Sequence, residues 1–217
     1  EHVLYLDPPG LIPFRRPMPA HHRFVGAAIW NAAAPLPPWW DSLDSDEPVV
    51  YVSLGSSGKL KALPTILKGL ADLPIRVAVA VGGRQADLEV PANAFVAPYL
   101  PGDILARRAA LVIGNGGSAG LYQSLNEGTP VLGIPENLDQ HMTMAAVAGH
   151  GATLSIRSDR LTRRNVRRDV ERILGDDTFR VAASHVRDLF RAGPANALFP
   201  GFIESVFGGA AAGGSPE

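Results

Sequence analysis

The chain has 217 residues, 20 basic against 21 acidic side chains, a net charge of −1 and no cysteine. Near-neutral charge leaves no bulk bias toward nucleic acid or membrane, and without cysteine there is no disulfide, thiolate zinc site or Cys nucleophile. No apolar run approaches the roughly 18 residues that span a bilayer. The length suits one substantial core, or one and a half domains. The opening Glu1-His2-Val3 has neither an initiator Met nor a secretory pattern, and is read as the start of a fragment or excised domain. Absence of cysteine fits a reducing interior, so a cytoplasmic setting is expected.

Residues 1–48 are proline-rich (Pro8, Pro9, Pro13, Pro17, Pro19, Pro35, Pro37, Pro38), with one short strand candidate near 23–26. They read as the tail of a preceding unit plus a linker ending in Trp39-Trp40-Asp41. From 49 onward strands and helices alternate: strand 49–54, helix 59–72, strands 76–81 and 94–97, helix 102–108, strand 111–113 and helix 118–127. Strand 131–134, helix 139–149 and strand 152–156 follow, then helices 162–174, 176–191 and, after Pro194, 195–207. Short apolar strands separated by helices predict an α/β fold, a parallel sheet covered on both faces. Ligands in such sheets bind at the carboxyl ends of the strands. The glycine-rich end, 208–217, is expected to be a disordered tail.

Four segments at those carboxyl ends can carry chemistry. Ser53-Leu54-Gly55-Ser56-Ser57-Gly58 can wrap an anion with backbone N–H groups and hydroxyls. Its plain alternative is a turn with a serine cap for helix 59–72. Tyr99-Leu100-Pro101 offers an aromatic that can stack on a flat ring and a Leu100 main chain that can pair with a base edge; otherwise Tyr99 covers the core rim. Asn115-Gly116-Gly117-Ser118-Ala119-Gly120 opens a helix after a buried strand, presenting free amides and a positive helix end suited to a phosphate. Three glycines with small residues between them leave little side chain to pack, so close approach by something to the backbone, not a core role, is expected there. Asp139-Gln140 can hold vicinal sugar hydroxyls, unless Asp139 merely caps helix 139–149. The six histidines show no ligand spacing, so no metal site is expected. The arginines at 157, 160, 163, 164, 167, 168 and 172 are interleaved with Asp159, Asp169 and Glu171 and read as a solvated helix face, an anionic partner surface being the alternative.

Together the segments resemble the C-terminal, donor-binding half of a family 1 glycosyltransferase (UDP-glucuronosyl/UDP-glucosyltransferase-like) of the two-domain GT-B architecture. "RFVGAAIW" with "PLPPWWDSL" is similar to the interdomain segment, and "VVYVSLGSSG" to the first strand and serine loop. "FVAPYLPGDIL" is similar to the base-binding turn, and "LVIGNGGSAGLYQSLNEGTPVLGIPENLDQHMTMAAVAGHGA" to the donor signature. The resemblance implies a Rossmann-like sheet, with 1–48 the end of the N-terminal domain and linker and 49–207 the nucleotide-sugar domain. It implies that Tyr99 stacks on the base, the Leu100 main chain bonds its edge, and Ser56 lies near the diphosphate. Gly117, Ser118, Ala119 and Gly120 then form the phosphate-binding helix start, Gln123 faces the ribose, and Asp139 and Gln140 hold the sugar. Asn115 stands where histidine is common, Gln123 where an acid is common, and Gly102 where glutamine often follows the proline.

The implied activity is transfer of a hexose from a UDP- or dTDP-sugar to an acceptor hydroxyl, inverting and metal-independent, with no cofactor. The base and the pocket for a small-molecule or lipid acceptor would belong to the N-terminal domain, so this chain alone is expected to bind donor and transfer nothing. Three alternatives stay open: an auxiliary, non-catalytic homologue, a GT-B sugar-nucleotide epimerase, and an NAD-dependent dehydrogenase. The last rests on Gly114-x-Gly116-x-x-Ala119 with Glu136 about twenty residues beyond.

Overall fold

A computed structural model describes residues 1–207 apart from 15, 30, 32 and 86. The tail expected to be disordered, 208–217, lies outside the described residues. The chain divides into two compact units, one made of residues 1–28 with the chain from Asp188 onward, the other of Ile29–Arg187.

In the first unit two short strands, β1 (Val3–Tyr5) and β2 (His22–Phe24), run parallel, Tyr5 opposite Phe24. The sequence reading placed a strand near 23–26 and none at 3–5. Three residues are too few to show a period, and the pairing is made across a proline-rich loop. Tyr5, Phe14 and Phe24 form an aromatic cluster with centroids 5.4–5.6 Å apart. The Tyr5 hydroxyl sits 2.8 Å from His22 Nδ1.

The second unit is built on six strands: β3 (Val49–Ser53), β4 (Arg76–Ala80), β5 (Ala94–Ala97), β6 (Leu111–Gly114), β7 (Val131–Gly133) and β8 (Thr153–Ser155). All neighbours are parallel, in the order β5-β4-β3-β6-β7-β8. Each lies within three residues of its expected bounds, because runs such as Val49-Val50-Tyr51-Val52 suit a strand buried on both faces. The helices are α1 (Leu63–Leu70), α2 (Gly102–Arg108), α3 (Ser118–Asn126), α4 (Leu138–Val147), α5 (Arg163–Gly175) and α6 (Asp177–Ala192), while α7 (Ala195–Phe207) belongs to the first unit. α1 packs on α5 and α2 on α3. The pleat divides the strands: Val50, Val52, Val77, Val79, Leu111, Ile113 and Leu132 join Ile66, Leu67, Val166 and Val170 in one buried cluster. Tyr51 points to the other face, and burial pushes its phenol above the ordinary value, a hydrogen bond with Ser53 pulling the other way.

Two helix starts differ from expectation. The helix placed at 59–72 begins with a 3-10 turn, Leu60–Ala62, and becomes α-helical at Leu63, with Pro64 in its first turn and no serine cap. Proline lacks an N–H and fits best in a helix's first turn, so it sets the start. The helix placed at 139–149 begins at Leu138 because Asn137 is its cap, accepting from the Gln140 amide at 2.9 Å. Asp139 is therefore not the cap. The arginine-rich α5 presents its arginines to solvent and turns Val166, Asp169, Val170 and Ile173 inward, as a solvated face requires.

Asp176 opens α6, its Oδ1 accepting from the Thr178 hydroxyl at 2.6 Å and amide at 3.0 Å. These bonds, the hydroxyl's first, hold its carboxyl below the ordinary 3.8. A carboxylate with a depressed folded pKa contributes stability above its unfolded value and loses it as pH falls through the folded one. Asp176→Ala is expected to lower the thermal midpoint at pH 7, and the difference from wild type to narrow as pH drops below 3.8. A pH-independent difference in melting scans would contradict this origin.

Candidate functional site

The sheet order reverses between β3 and β6, which pair with Ser53 opposite Gly114. Right-handed crossovers leaving these strands in opposite directions place α1 and α3 on opposite faces, and in such sheets this reversal point is where a ligand crevice is expected. The serine loop and the glycine turn thus face each other, although 60 residues separate Gly55 from Asn115 in sequence.

The serine loop is tied from three sides. Arg84, after β4, donates through one terminal nitrogen to the Gly58 carbonyl at 2.6 Å and through the other to the Gly55 carbonyl at 2.7 Å. Asn115, after β6, donates through Nδ2 to Ser57 Oγ at 3.1 Å. Gln140, from α4, brings Nε2 to the same oxygen at 3.4 Å. The Lys59 ammonium meets Glu136 at 2.6 Å, joining the loop's end to the turn after β7. Gly55 takes a φ of +63°, open to glycine at little cost.

Across the crevice, Asn115 Oδ1 accepts the Gly117 amide at 3.0 Å. One N–H that the sequence offered to a phosphate is thus met by the chain itself. Ser118, Ala119 and Gly120, the first turn of α3, remain exposed, and a Cβ on Gly120 would meet nothing within 4 Å. Gly116 departs from expectation. It is buried at φ +77°, and a Cβ there would stand 2.6 Å from Met144 Cγ, so packing and backbone geometry account for this glycine.

The segment from Tyr99 to Gly102 follows β5 and meets α3 where Gly102 lies against Gln123. Tyr99 is 62% exposed, its hydroxyl end over Gly83, where a Cβ would come within 2.2 Å of the oxygen. Leu100 is buried as a whole residue. Gly102 lies under Gln123, whose Oε1 a Cβ would meet at 2.4 Å. The two departures from the family pattern therefore fit each other: the missing side chain at 102 makes room for the carboxamide at 123. Gln123 Nε2 donates to Asn31 at 2.8 Å.

Asp139 and Gln140 do not share a face. Asp139 is exposed, whereas Gln140 is 1% exposed, its Oε1 accepting the Glu136 amide at 2.9 Å. Ser57, Arg84, Lys59, Glu136 and Asn137 organise the site and were not singled out for it from sequence. Ser57 sat inside a motif that was noticed, but Arg84 carried no local signal. Glu136, which a dehydrogenase reading would place on a ribose, is occupied by Lys59. Among the described residues no group of three or more His, Cys, Asp or Glu is placed to hold a metal, and no helix is long and apolar enough to cross a membrane.

Comparison with known proteins places this geometry. The family described as "Erythromycin biosynthesis protein CIII-like, C-terminal domain" matches residues 64–199. The PGL/p-HBAD biosynthesis glycosyltransferase of Mycobacterium tuberculosis is 44% identical over 205 residues, 94% of this chain and 47% of that protein. The PGL/p-HBAD biosynthesis rhamnosyltransferase of Mycobacterium bovis is 42% identical over 205 residues, covering 94% and 45%. The chain spans about half the length of the curated relatives it matches. Among solved structures, the spinosyn rhamnosyltransferase SpnG aligns with a TM-score of 0.78 and 25% identity over 94% of this chain and 56% of its own. SpnG complexed with thymidine diphosphate gives 0.73 and 24% over 88% and 53%. The fold is that of the C-terminal half of a GT-B glycosyltransferase. A match across 64–199, with these identities behind it, means that the chain belongs to the erythromycin biosynthesis protein CIII-like C-terminal domain family.

Proposed function

We propose that this domain binds a nucleoside diphosphate sugar, UDP- or dTDP-linked, and that the whole protein is a glycosyltransferase moving a hexose to an acceptor hydroxyl. The observation that carries the reading is the exposed first turn of α3 at the sheet's reversal point, joined through Asn115 to Ser57 of the serine loop. Amide N–H groups and a helix dipole aimed at one place suit a departing diphosphate, whose negative charge grows as the glycosidic bond breaks. In this reading Ser118, Ala119 and Gly120 cradle the phosphates, the Tyr99 ring carries the base, Gln123 faces the ribose and Asp139 reaches the sugar hydroxyls. Such donors do the electrostatic work a divalent cation would otherwise do, so no metal is needed, and the family resemblance implies that transfer is inverting. The base that deprotonates the acceptor, and the pocket for a small-molecule or lipid acceptor, belong to the other half of the protein. Of the two nucleotides dTDP is favoured, since SpnG is solved with thymidine diphosphate. A cytoplasmic setting goes with this reading.

Titration calorimetry of the chain with dTDP, UDP and NAD tests it. Nucleoside diphosphate is expected to bind and NAD not to; binding of NAD alone would transfer the site to a dinucleotide. Tyr99→Ala is expected to weaken nucleotide binding by about 1–3 kcal/mol, the worth of one aromatic–base stack. The exposed ring contributes little to stability, so the thermal midpoint should hardly move. Unchanged affinity would remove Tyr99 from the site.

A further inference from the structure

The geometry points to Ser57, not Ser56, as the hydroxyl that binds the diphosphate, with Asn115 and Gln140 acting as positioning residues that force its proton outward. This deepens the nucleotide-binding reading and rests on it. The orientation of both carboxamides is set by backbone donors: Asn115 Oδ1 accepts the Gly117 amide at 3.0 Å and Gln140 Oε1 accepts the Glu136 amide at 2.9 Å. A flip of either would set N–H against N–H. Each Nδ2 or Nε2 therefore faces Ser57 Oγ, at 3.1 Å and at a longer 3.4 Å.

A serine hydroxyl has two acceptor lone pairs and one proton to donate. With two N–H groups directed at its oxygen, Ser57 is committed as an acceptor within the protein, and only its proton is left. Among the described residues nothing accepts that proton, and the residue is exposed. A hydroxyl so fixed can only donate. An anionic oxygen is the partner that rewards a pure donor most, because charge-assisted bonds are roughly twice as strong as neutral ones. Donated bonds from Asn115 and Gln140 also polarise the O–H, strengthening the outward bond. Ser56 is exposed, and among the described residues no hydrogen bond fixes its hydroxyl. Asn115 is then explained as a different device from histidine at the same place: it does not reach the phosphate but aims Ser57 and caps Gly117.

Calorimetry with dTDP on the wild-type chain and four variants tests this. Ser57→Ala should weaken binding about ten-fold or more, the loss of one hydrogen bond to a charged group. That loss should exceed the one caused by Ser56→Ala. Ser57→Thr, which keeps the hydroxyl, should restore most of the affinity, a rescue that a purely steric role would not give. Asn115→Asp places a carboxylate where the Nδ2 donor was and turns the Ser57 proton inward; it should weaken binding more than Ser57→Ala, with melting scans checking that the fold persists. Wild-type affinity in Ser57→Ala, or a loss confined to Ser56→Ala, would overturn the assignment while leaving the nucleotide site standing. Failure of the wild-type chain to bind any nucleoside diphosphate would instead sink the reading beneath it.

Discussion

Gly58→Ala is expected to weaken dTDP binding at least about ten-fold and to lower the thermal midpoint by several degrees, overpacking costing about 1–3 kcal/mol. A Cβ at this position would stand 2.1 Å from the Leu54 carbonyl oxygen, 2.7 Å from Leu54 Cβ and 2.9 Å from its carbonyl carbon. Two of those atoms are backbone at the end of β3, so no side-chain rotation relieves the clash. The loop itself must move. Its Gly58 carbonyl would leave Arg84, and Ser57, next in the chain, would leave Asn115 and Gln140. Binding and stability should therefore fall together, unlike Tyr99→Ala, which costs affinity alone. Gly175→Ala is the control, because nothing lies within 4 Å of a Cβ there. Native melting and native affinity in Gly58→Ala would mean that the serine loop is not held as described.

Ile113→Ala is expected to cost about 2–5 kcal/mol of unfolding free energy, the range for emptying a fully buried branched aliphatic site. Ile113 is wholly buried, in register with Val52 on one side and Leu132 on the other, within the cluster that joins the sheet to α1 and α5. Both neighbouring strands are held by their own ladders, so the surroundings cannot readily collapse into the gap. The position lies two residues before Asn115, and loosening β6 loosens the turn it carries. Urea unfolding with an unchanged slope checks the magnitude. A loss under about 1 kcal/mol would mean that this layer repacks freely.

Much of the sheet was legible because a parallel strand covered on both faces writes itself as a continuous apolar run, as at Val49–Ser53 and Leu111–Gly114. Helix interiors were legible for the same kind of local reason. Their starts were less so: Pro64 moved one by the N–H it lacks, and Asn137 another by one hydrogen bond to its side chain. β1 escaped notice because its only signal is a partner strand beyond a loop. A core role was not expected of the glycine turn, yet Gly116 is packed against Met144, since a glycine says that something is close without saying what.

Membership of the α/β class, the set of loops that carry chemistry and the family resemblance follow from the order of residues alone, because each is a property of neighbours along the chain. Which groups within those loops are free is a different matter. Only the folded arrangement brings residue 57 to residues 115 and 140, and Arg84 to the carbonyls of Gly55 and Gly58. Hydrogen-bonding capacity is finite, so what a side chain can offer a ligand depends on what distant partners have already taken from it.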